Sequence, residues 1–262
     1  MDVIRVVVTG ATGRMGGEVA RALAAEPSFE LAGLVSRKAS AGRLPGWEGI
    51  PAAPTAGELL DQVRADVLVD FTVAEAAFEN ARAALRRRVA PVIGTSGLTP
   101  DQVAALAEEA RTVGVGGAVV PNFAVGAVLM MHLARQAARF FDAAEIIELH
   151  HDGKADAPSG TAVATARLLA EARPGGFRRN VPAKEPLPGS RGAEYGGISI
   201  HAVRLPGLVA HQEVIFGGRG QTLTIRHDST SRESFIPGVL LAIRRVVETR
   251  EFYFGLEKIL DL

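Results

Sequence analysis

The residues of this chain that are best suited to chemistry are concentrated in one short stretch, HHDGKADAPSGTA, at residues 150–162. It begins with two adjacent imidazoles, His150 and His151, and an ammonium follows at Lys154. Histidine suits acid catalysis because its ordinary pKa lies near physiological pH. Since side chains alternate between the two faces of an extended segment, only one of the histidines can share a face with Lys154 unless the strand bends. One imidazole is then available to donate a proton, and the other to bind an anionic group of a substrate.

The stretch ends in a helix start that suits the same kind of substrate. Ser159, Gly160 and Thr161 open an alanine-rich helix that is predicted to run to Ala172. The free backbone N–H groups at a helix N-terminus favour a carboxylate or a phosphate. N-capping by Ser159 or Thr161 would explain these residues without any ligand. Next to two histidines and a lysine, however, the whole group favours an anionic substrate.

Metal binding is the other chemistry that this stretch would allow. The candidate ligands are His150, His151, Asp152 and Asp156. Adjacent histidines diverge on an extended segment, and the HExxH spacing of helical zinc sites does not occur in the sequence. The chain has no cysteine, which excludes zinc held by thiolates. We therefore predict no metal site.

Length and composition narrow the class of protein. The chain has 262 residues, of which 47% are hydrophobic and 22% charged, so it can build one large domain or two modest ones. Its formal net charge is zero, which argues against nucleic acid or an acidic membrane surface as the main partner. No apolar run approaches the ~20 residues that cross a bilayer. The N-terminus carries charges where a signal peptide needs an unbroken apolar region. We expect a soluble, cytoplasmic protein.

The first half alternates between predicted strands and predicted helices. The strands are predicted at 3–8, 29–35, 66–71, 91–94 and 113–120, and the helices at 18–26, 58–65, 74–88 and 100–113. Such alternation implies right-handed crossovers and a parallel sheet that is covered on both faces. We predict an α/β fold with a Rossmann-type doubly wound parallel sheet, followed by a smaller α+β domain with an open mixed sheet.

A glycine motif, GATGRMG at residues 10–16, lies between the first predicted strand and the first predicted helix. Glycines at 10, 13 and 16 allow a tight turn and let backbone N–H groups approach a pyrophosphate at the helix N-terminus. A glycine-rich loop that only connects two elements is the alternative. The strand before it, the helix after it and the distance to the second strand all favour a dinucleotide site.

The end of the second predicted strand indicates which dinucleotide is bound. A carboxylate at this position accepts hydrogen bonds from the ribose hydroxyls of NAD, whereas this chain has Ser36, Arg37 and Lys38. A hydroxyl followed by two cations suits a 2′-phosphate. We therefore predict that NADPH is used at least as well as NADH; a solvated basic loop is the alternative.

The other strand ends should lie at the same edge of the sheet, where ligands bind in such folds. They carry Asp70-Phe71-Thr72, Gly94-Thr95-Ser96-Gly97 and Pro121-Asn122-Phe123. Small residues and hydroxyls there let a nicotinamide approach the backbone. Phe71 and Phe123 can pack against its ring or belong to the core.

The second half has a different pattern. A long helix is predicted at 123–141, a strand at 143–151, an exposed loop at 174–197, and strands at 198–205, 208–216 and 221–228, with a closing helix at 234–248. Turn signals between the last three strands predict an antiparallel meander. We expect a dinucleotide-binding domain at 1–122, completed by 233–262, and a substrate-binding and oligomerisation domain at 123–232.

The motifs together closely resemble those of the dihydrodipicolinate reductase family, formally 4-hydroxy-tetrahydrodipicolinate reductase. The resemblance covers nearly the whole chain and is carried by GATGRMG at 10–16, DFT at 70–72, GTSG at 94–97, PNFAVG at 121–126, ELHHDGKADAPSGTA at 148–162, VRLPGLVAHQEVIF at 203–216 and DSTSRESF at 228–235. The element with two histidines, the lysine and Pro-Ser-Gly-Thr is highly specific to that family, whereas the glycine motif alone is not.

The resemblance implies hydride transfer from NADPH or NADH to the conjugated ring of a small cyclic dicarboxylate, with loss of water, in the diaminopimelate route to lysine. It implies that His150 donates the proton and that Lys154 is the accompanying acid and holds a carboxylate. It implies substrate contacts at His151, Ser159, Gly160 and Thr161. It implies cofactor contacts at Gly10, Ala11, Thr12, Gly13, Arg14, Met15, Arg37, Gly94, Thr95, Ser96, Pro121, Asn122, Phe123, Ala124 and Arg232. The strand ends themselves add Ser36, Lys38 and Phe71 as candidate cofactor contacts. The resemblance also implies a homotetramer joined through the smaller sheet.

Three positions depart from the family pattern. Asp152 and Gly153 stand where many relatives carry basic or ring-bearing residues, which adds a negative charge near the anion site. Ser36 replaces an acidic residue of some relatives, which supports the expectation of NADPH use. Two other functions are weighed against the reductase: another NAD(P)-dependent dehydrogenase acting on an amino-acid-like acid, and a non-catalytic dinucleotide-sensing module. Neither needs the histidine pair, the lysine and the anion-binding helix start together.

Overall fold

The computed structural model describes residues 3–262. The chain divides into two compact units, each with its own sheet. The first unit comprises the chain up to Ala124 together with Arg232–Leu262, and the second unit is Val125–Ser231.

The first unit begins with alternating strands and helices. Its elements up to Ala124 are β1 (Ile4–Thr9), α1 (Arg14–Ala25), β2 (Phe29–Val35), β3 (Ala52–Ala53), α2 (Ala56–Leu60), β4 (Val67–Asp70), α3 (Ala74–Leu85), β5 (Ala90–Ile93), α4 (Pro100–Val113) and β6 (Gly117–Val119). Every residue of β4 and β5 is buried, as expected for central strands covered on both faces.

The second unit and the C-terminal segment follow in chain order. They contain α5 (Val125–Ala138), β7 (Ala143–His150), α6 (Gly160–Ala172), β8 (Ala193–Tyr195), β9 (Ile198–Arg204), β10 (Ala210–Gly218), β11 (Gln221–Ser229), a 3-10 helix (Arg232–Phe235), α7 (Ile236–Thr249), β12 (Phe252–Phe254) and α8 (Leu256–Ile259). The last four elements belong to the first unit.

The first unit contains a seven-stranded sheet in the order β12-β6-β5-β4-β1-β2-β3. All of its paired strands run parallel. The order reverses at β1, which is the topological switch point of a doubly wound sheet and the place where ligands bind in this fold. The predicted Rossmann-type fold is confirmed, and the carboxyl ends of β1, β2, β4, β5 and β6 lie at one edge.

The second unit contains a five-stranded mixed sheet in the order β11-β10-β7-β9-β8. β7 lies between β10, which runs antiparallel to it, and β9, which runs parallel to it. The predicted mixed sheet is confirmed, but the predicted antiparallel meander of the last three strands is wrong. Only β10 and β11 form a hairpin, because the chain between β9 and β10 passes to the far side of β7. Turn residues show where a chain reverses, and they do not show which earlier strand lies between its two arms.

One face of this mixed sheet is covered by α5 and α6. Ile146, Val214 and Phe216 project from the sheet into an apolar core, where small residues such as Ala134 and Ala166 allow close packing. A buried polar link supports the first turn of α6. Gln212 Nε2 on β10 donates to Thr165 Oγ1 at 2.7 Å, and that hydroxyl donates to the carbonyl of Thr161 at 2.8 Å. The start of α6 is therefore fixed to the sheet.

Several predicted elements have different bounds in the structure, among them two helices and one loop. The helix predicted at 58–65 ends at Leu60, and the helix predicted at 123–141 spans Val125–Ala138. The loop predicted at 174–197 contains the short strand β8. In the part of the chain from residue 3 onward, no helix combines the length and the apolar character that a membrane span requires.

Candidate functional site

The glycine loop, residues 10–16, joins β1 to α1 by a turn that only glycine fits. Gly10 has a φ of +74°, and a Cβ built there would lie 2.6 Å from the carbonyl oxygen of Phe71. A Cβ on Gly16 would lie 2.2 Å from the carbonyl oxygen of Gly10. Gly13 is the N-cap of α1 and has no side chain to occupy the free N–H groups of the first turn. The loop therefore presents bare backbone at a helix N-terminus, as a pyrophosphate site requires.

A cleft of about 790 Å³ opens next to the glycine loop. Seven of the predicted cofactor residues line it: Gly10, Thr12, Gly13, Ser36, Arg37, Lys38 and Phe71. The rest of its wall comes from Val35, Pro54, Thr55 and the segment around the start of α3. The size, the backbone turn and the polar wall fit part of a dinucleotide.

The basic tripeptide at the end of β2 divides into a buried hydroxyl and two exposed cations. Ser36 is buried, and its Oγ lies 3.0 Å from Thr12 Oγ1 and accepts from the backbone N–H of Lys38 at 3.2 Å. The side chains of Arg37 and Lys38 are exposed at the cleft. Ser36 thus shapes the loop, while the two cations are free to meet an anion.

A buried carboxylate that sequence reasoning left without a role holds the strand ends together. Asp70 is fully buried at the end of β4 and accepts five hydrogen bonds. The donors are the hydroxyls of Thr9, Thr72 and Thr95, the side-chain amide of Asn80 and the backbone N–H of Thr72, at 2.5–2.9 Å. One side chain therefore fixes the ends of β1, β4 and β5 relative to the start of α3.

The remaining predicted cofactor residues of the first unit lie near the same edge. Phe71 packs against Gly94, where a Cβ would be 2.2 Å from its ring, and the ring centroids of Phe71 and Phe123 are 5.7 Å apart. Asn122 Oδ1 accepts from the backbone N–H of Ala124 at 2.9 Å. Ala11, Thr95, Phe123 and Ala124 are buried, and Arg14, Ser96 and Pro121 are exposed. Met15 lies in the first turn of α1, and Arg232 begins the 3-10 helix. Apart from Phe71, none of these residues lines the cleft.

The histidine cluster, defined as Glu148, His150, Lys154, Asp156, Ser159 and Arg204, lies in the second unit. His150 is the last residue of β7, and its Nδ1 lies 2.5 Å from Oε2 of Glu148 on the same strand. Glu148 is completely buried. Arg204 at the end of β9 donates to both oxygens of that carboxylate, at 2.7 and 2.8 Å. The parallel register of β7 and β9 places Arg204 opposite His150.

The buried carboxylate is ionised. Burial alone would raise the pKa of Glu148, but hydrogen bonds from Arg204, His150 and the backbone N–H of Ser159 outweigh it, so the pKa lies below its ordinary value. The imidazole responds in a different way. Burial lowers the pKa of His150 below its ordinary value, Glu148 opposes this, and Lys154 and Arg204 add to the lowering. The net effect favours the neutral imidazole relative to a free histidine.

Lys154 and His151 lie in the loop that follows β7. Lys154 Nζ donates to Asp156 Oδ1 at 2.6 Å, and this bond holds the pKa of Asp156 below its ordinary range. The backbone N–H of Lys154 donates to the carbonyl of His151 at 3.2 Å, which forms a tight turn between them. His151 is half-buried, with its ring beside Gly153. The turn is why the strict alternation of an extended strand does not apply beyond His150.

The N-terminus of α6 completes the cluster. Ser159 is the N-cap, and its Oγ accepts from the backbone N–H of Ala162 at 3.2 Å, so Ser159 rather than Thr161 caps the helix. Its own backbone N–H donates to Oε1 of Glu148 at 3.0 Å. Within residues 3–262, no hydrogen bond uses the backbone N–H of Gly160 or Thr161. A Cβ on Gly160 would meet nothing within 4 Å, so the space beside this residue is open.

Comparison with known proteins decides the family. The family model described as "Dihydrodipicolinate reductase, N-terminus" matches residues 4–123, and the model "Dihydrodipicolinate reductase, C-terminus" matches residues 126–260. The chain belongs to the dihydrodipicolinate reductase family. It is therefore an oxidoreductase, and its N-terminal half binds a nicotinamide dinucleotide.

Full-length relatives of this reductase family agree over the whole chain. The 4-hydroxy-tetrahydrodipicolinate reductase of Dehalococcoides mccartyi (strain ATCC BAA-2266 / KCTC 15142 / 195) is 49% identical over 265 residues, covering 100% of both chains. That of Geobacillus thermodenitrificans is 51% identical over 263 residues, covering 98% of this chain and 99% of the relative. A dipicolinate-bound dihydrodipicolinate reductase from Paenisporosarcina sp. TG-14 superposes with a TM-score of 0.90 at 43% identity, covering 98% of this chain and 99% of that one.

Sequence reasoning missed two members of the reductase's histidine cluster, Glu148 and Arg204. Glu148 had a local signal, because it precedes His150 by two residues on a predicted strand and so shares its face. Arg204 had none, because its place depends on β9 lying parallel to β7, a pairing that no local signal in the sequence indicates. In the described part of the chain, no group of three or more His, Asp or Glu side chains is arranged to hold a metal ion.

Proposed function

We propose that this protein reduces 4-hydroxy-tetrahydrodipicolinate to tetrahydrodipicolinate with loss of water, in the diaminopimelate route to lysine. One substrate, one NAD(P)H and one proton give the product, NAD(P)⁺ and water. The observation that carries the proposal is the histidine cluster, in which an imidazole, an ammonium and an open helix N-terminus come from one continuous segment. Its relatives with about half of their residues identical carry the name of this reductase.

The chain's own residues have distinct tasks in this proposal. When bound, the reduced nicotinamide supplies the hydride. The glycine loop and the residues at the strand ends hold the dinucleotide. His150 donates the proton, because an imidazole is the side chain that most often serves as a general acid. Lys154 holds one substrate carboxylate in exchange for its present partner Asp156 and assists as an acid. The open N–H groups of Gly160 and Thr161, together with His151, bind the second carboxylate.

We expect NADPH to be used at least as well as NADH. The exposed Arg37 and Lys38 stand at the cleft where an NAD-specific site has a carboxylate, and Ser36 carries no charge. Comparison of kcat/KM for the two cofactors tests this expectation. A strong preference for NADH would contradict it.

We further propose that the protein is a homotetramer joined through the mixed sheet. The sheet face away from α5 and α6 carries charged and polar side chains in mutual contact. Glu145 binds Arg191 and His201, and Arg226 binds both Glu213 and Asp228. Light scattering coupled to size-exclusion chromatography measures the oligomer, and a monomer at micromolar concentration would contradict the proposal.

The activity itself is tested by supplying the substrate with the synthase that precedes this step. NADPH and NADH oxidation are followed side by side after the synthase has acted. The proposal predicts oxidation that depends on the synthase product and stops without it. Oxidation that is independent of the synthase product, or no oxidation with either cofactor, would overturn the proposed function.

A further inference from the structure

We propose that Glu148 is the positioning residue of the histidine cluster: one buried carboxylate selects the nitrogen of His150 that faces the substrate and fixes the N-terminus of α6 to the same strand. This inference rests on the proposed role of His150 as the proton donor. The geometry of the proton transfer is then determined by a residue that was not among the predicted site residues.

The two carboxylate oxygens of Glu148 have different hydrogen-bond partners. Oε2 accepts from Nη1 of Arg204 at 2.8 Å and lies 2.5 Å from Nδ1 of His150. Oε1 accepts from Nη2 of Arg204 at 2.7 Å and from the backbone N–H of Ser159 at 3.0 Å. Each oxygen therefore has one bond to the guanidinium and one bond to a group of the substrate site. Because the carboxylate is completely buried, water does not compete for these positions.

These contacts fix the tautomer of His150. An ionised carboxylate only accepts hydrogen bonds, so the proton between the two groups belongs to Nδ1 of the imidazole. Nε2 is then the nitrogen left to face the substrate. In the imidazolium, the Nε2 proton is the one that can be transferred, and after the transfer the neutral ring keeps its proton on Nδ1. The same logic orients the histidine of hydrolytic triads.

Arg204 holds the carboxylate of Glu148 in the position from which it orients His150. Its guanidinium binds the carboxylate through two nitrogens, the arrangement in which an arginine–carboxylate pair is strongest and best oriented. The same guanidinium also donates to the backbone carbonyl of Asp156 at 2.7 Å, in the loop that carries Lys154. One arginine therefore ties the strand, the loop and the carboxylate together.

The charged groups around His150 act in opposite directions. Lys154 and Arg204 disfavour the imidazolium, and Asp156 is occupied by its bond to Lys154. Among the charged groups of the described residues that shift the pKa of His150, Glu148 alone raises it. Loss of the Glu148 charge should therefore lower the pKa of His150 further. Since the donor must be protonated, the loss of activity at high pH should begin at a lower pH.

The test is Glu148→Gln, which keeps the shape and removes the charge. With its carbonyl on Ser159 and Arg204, the glutamine amide donates to Nδ1 of His150 and moves the proton of the neutral ring to Nε2. We expect kcat to fall by about 100-fold, within the range that general acid catalysis contributes, with an unchanged KM for NADPH. We expect the descending limb of the kcat–pH profile to shift to lower pH. Two-bond ¹H–¹⁵N correlation spectra, assigned with His150→Gln, should show Nδ1–H in the wild type and Nε2–H in the variant.

Glu145→Gln is the matched control. Glu145 lies on the same strand and binds a histidine and an arginine, His201 and Arg191, on the opposite face of the sheet. This variant should change the signals of His201 and leave both the tautomer of His150 and the position of the pH limb unchanged. If Glu148 only stabilised the fold, Glu148→Gln would lower kcat without shifting the descending limb of the kcat–pH profile and without changing the tautomer of His150.

The outcomes separate this inference from the proposed function. If His150→Gln keeps the wild-type kcat, the proposed proton donor is wrong. If His150→Gln loses kcat while Glu148→Gln keeps the pH limb and the Nδ1–H tautomer, only the role of Glu148 is overturned. Should Glu148→Gln not fold, the wild-type spectrum decides alone, because an Nε2–H tautomer of neutral His150 would contradict the inference.

Discussion

The glycine loop and the histidine cluster differ in the groups that form them, which are backbone groups in the loop and side chains in the cluster. The glycine loop is a backbone site, in which the absence of side chains at Gly10 and Gly16 lets the chain turn and expose N–H groups. The histidine cluster is a side-chain site, assembled from β7, the following loop and β9 around one buried carboxylate. A backbone site is specified by contiguous residues, whereas a side-chain site depends on the register of strands that are distant in sequence.

The largest effect is expected from breaking the histidine cluster at Arg204. Arg204→Ala leaves the carboxylate of Glu148 buried without its cation, which typically costs about 3–5 kcal/mol of unfolding free energy. Urea denaturation measures the loss, and NADPH binding by the folded fraction should be unchanged. Arg226→Ala, at an exposed ion pair in the same sheet, is the control and should cost little. Equal losses in the two variants would contradict the special position of Arg204.

A smaller effect is expected from breaking the glycine loop. Gly10→Ala combines a left-handed backbone with a Cβ 2.6 Å from a carbonyl oxygen, and we expect a loss of about 2–4 kcal/mol and severely weakened NADPH binding. Gly42→Ala is the control, because Gly42 has a φ of +76° with nothing within 4 Å of the added Cβ. It should cost only about 1 kcal/mol from the backbone conformation. If Gly10→Ala and Gly42→Ala lose the same unfolding free energy, close packing around Gly10 does not determine the conformation of the glycine loop.

Asp70→Asn sharpens the comparison, because it tests whether the backbone site also needs a side chain behind it. Replacement of one acceptor oxygen by an amide should cost about 1–3 kcal/mol and raise KM for NADPH more than it lowers kcat. The double variant Asp70→Asn/Asn80→Asp reverses the direction of the bond between these two residues and should recover part of the loss. An unchanged KM for NADPH would show that the network serves stability alone.

The smallest effect is expected at the helix cap of the histidine cluster. Ser159→Ala removes the cap of α6 and should cost about 1 kcal/mol, with a moderate rise in KM for the substrate. Thr99→Ala removes the cap of α4 at a comparable cost. Because Thr99 belongs to the first unit and the histidine cluster to the second, its loss should leave KM for the substrate unchanged. A similar rise in both variants would argue against a role of the α6 N-terminus in binding.

The difference between a backbone site and a side-chain site also explains which features could be predicted from the sequence. The parallel sheet and helix α4, which spans its predicted range, follow from local periodicity. In the structure, Pro100 and a capping box of Thr99 and Gln102 begin this helix. The glycine loop follows from spacing alone. The network of Asp70 was not predicted, because its donors belong to four segments that only the folded sheet brings together.

The second unit shows most clearly which features could not be predicted from the sequence. Four of its five strands were found from their composition, and β8 was not. The strand order was not found, because local turn signals carry no information on which strands pair. Arg204 was left out of consideration for this reason, since only the parallel pairing of β7 and β9 places it opposite His150. A cluster of charged side chains therefore becomes predictable only when the sheet order is known.

Calorimetric titration with pyridine-2,6-dicarboxylate tests most directly that the histidine cluster holds the dianion and the glycine loop the dinucleotide. The account predicts tighter binding of the dicarboxylate when NADPH is present. It also predicts that Lys154→Ala weakens this binding by about tenfold to a hundredfold, the value of a charged hydrogen bond, while the affinity for NADPH is unchanged. Equal binding by the wild type and Lys154→Ala, with no effect of NADPH on either, would contradict it.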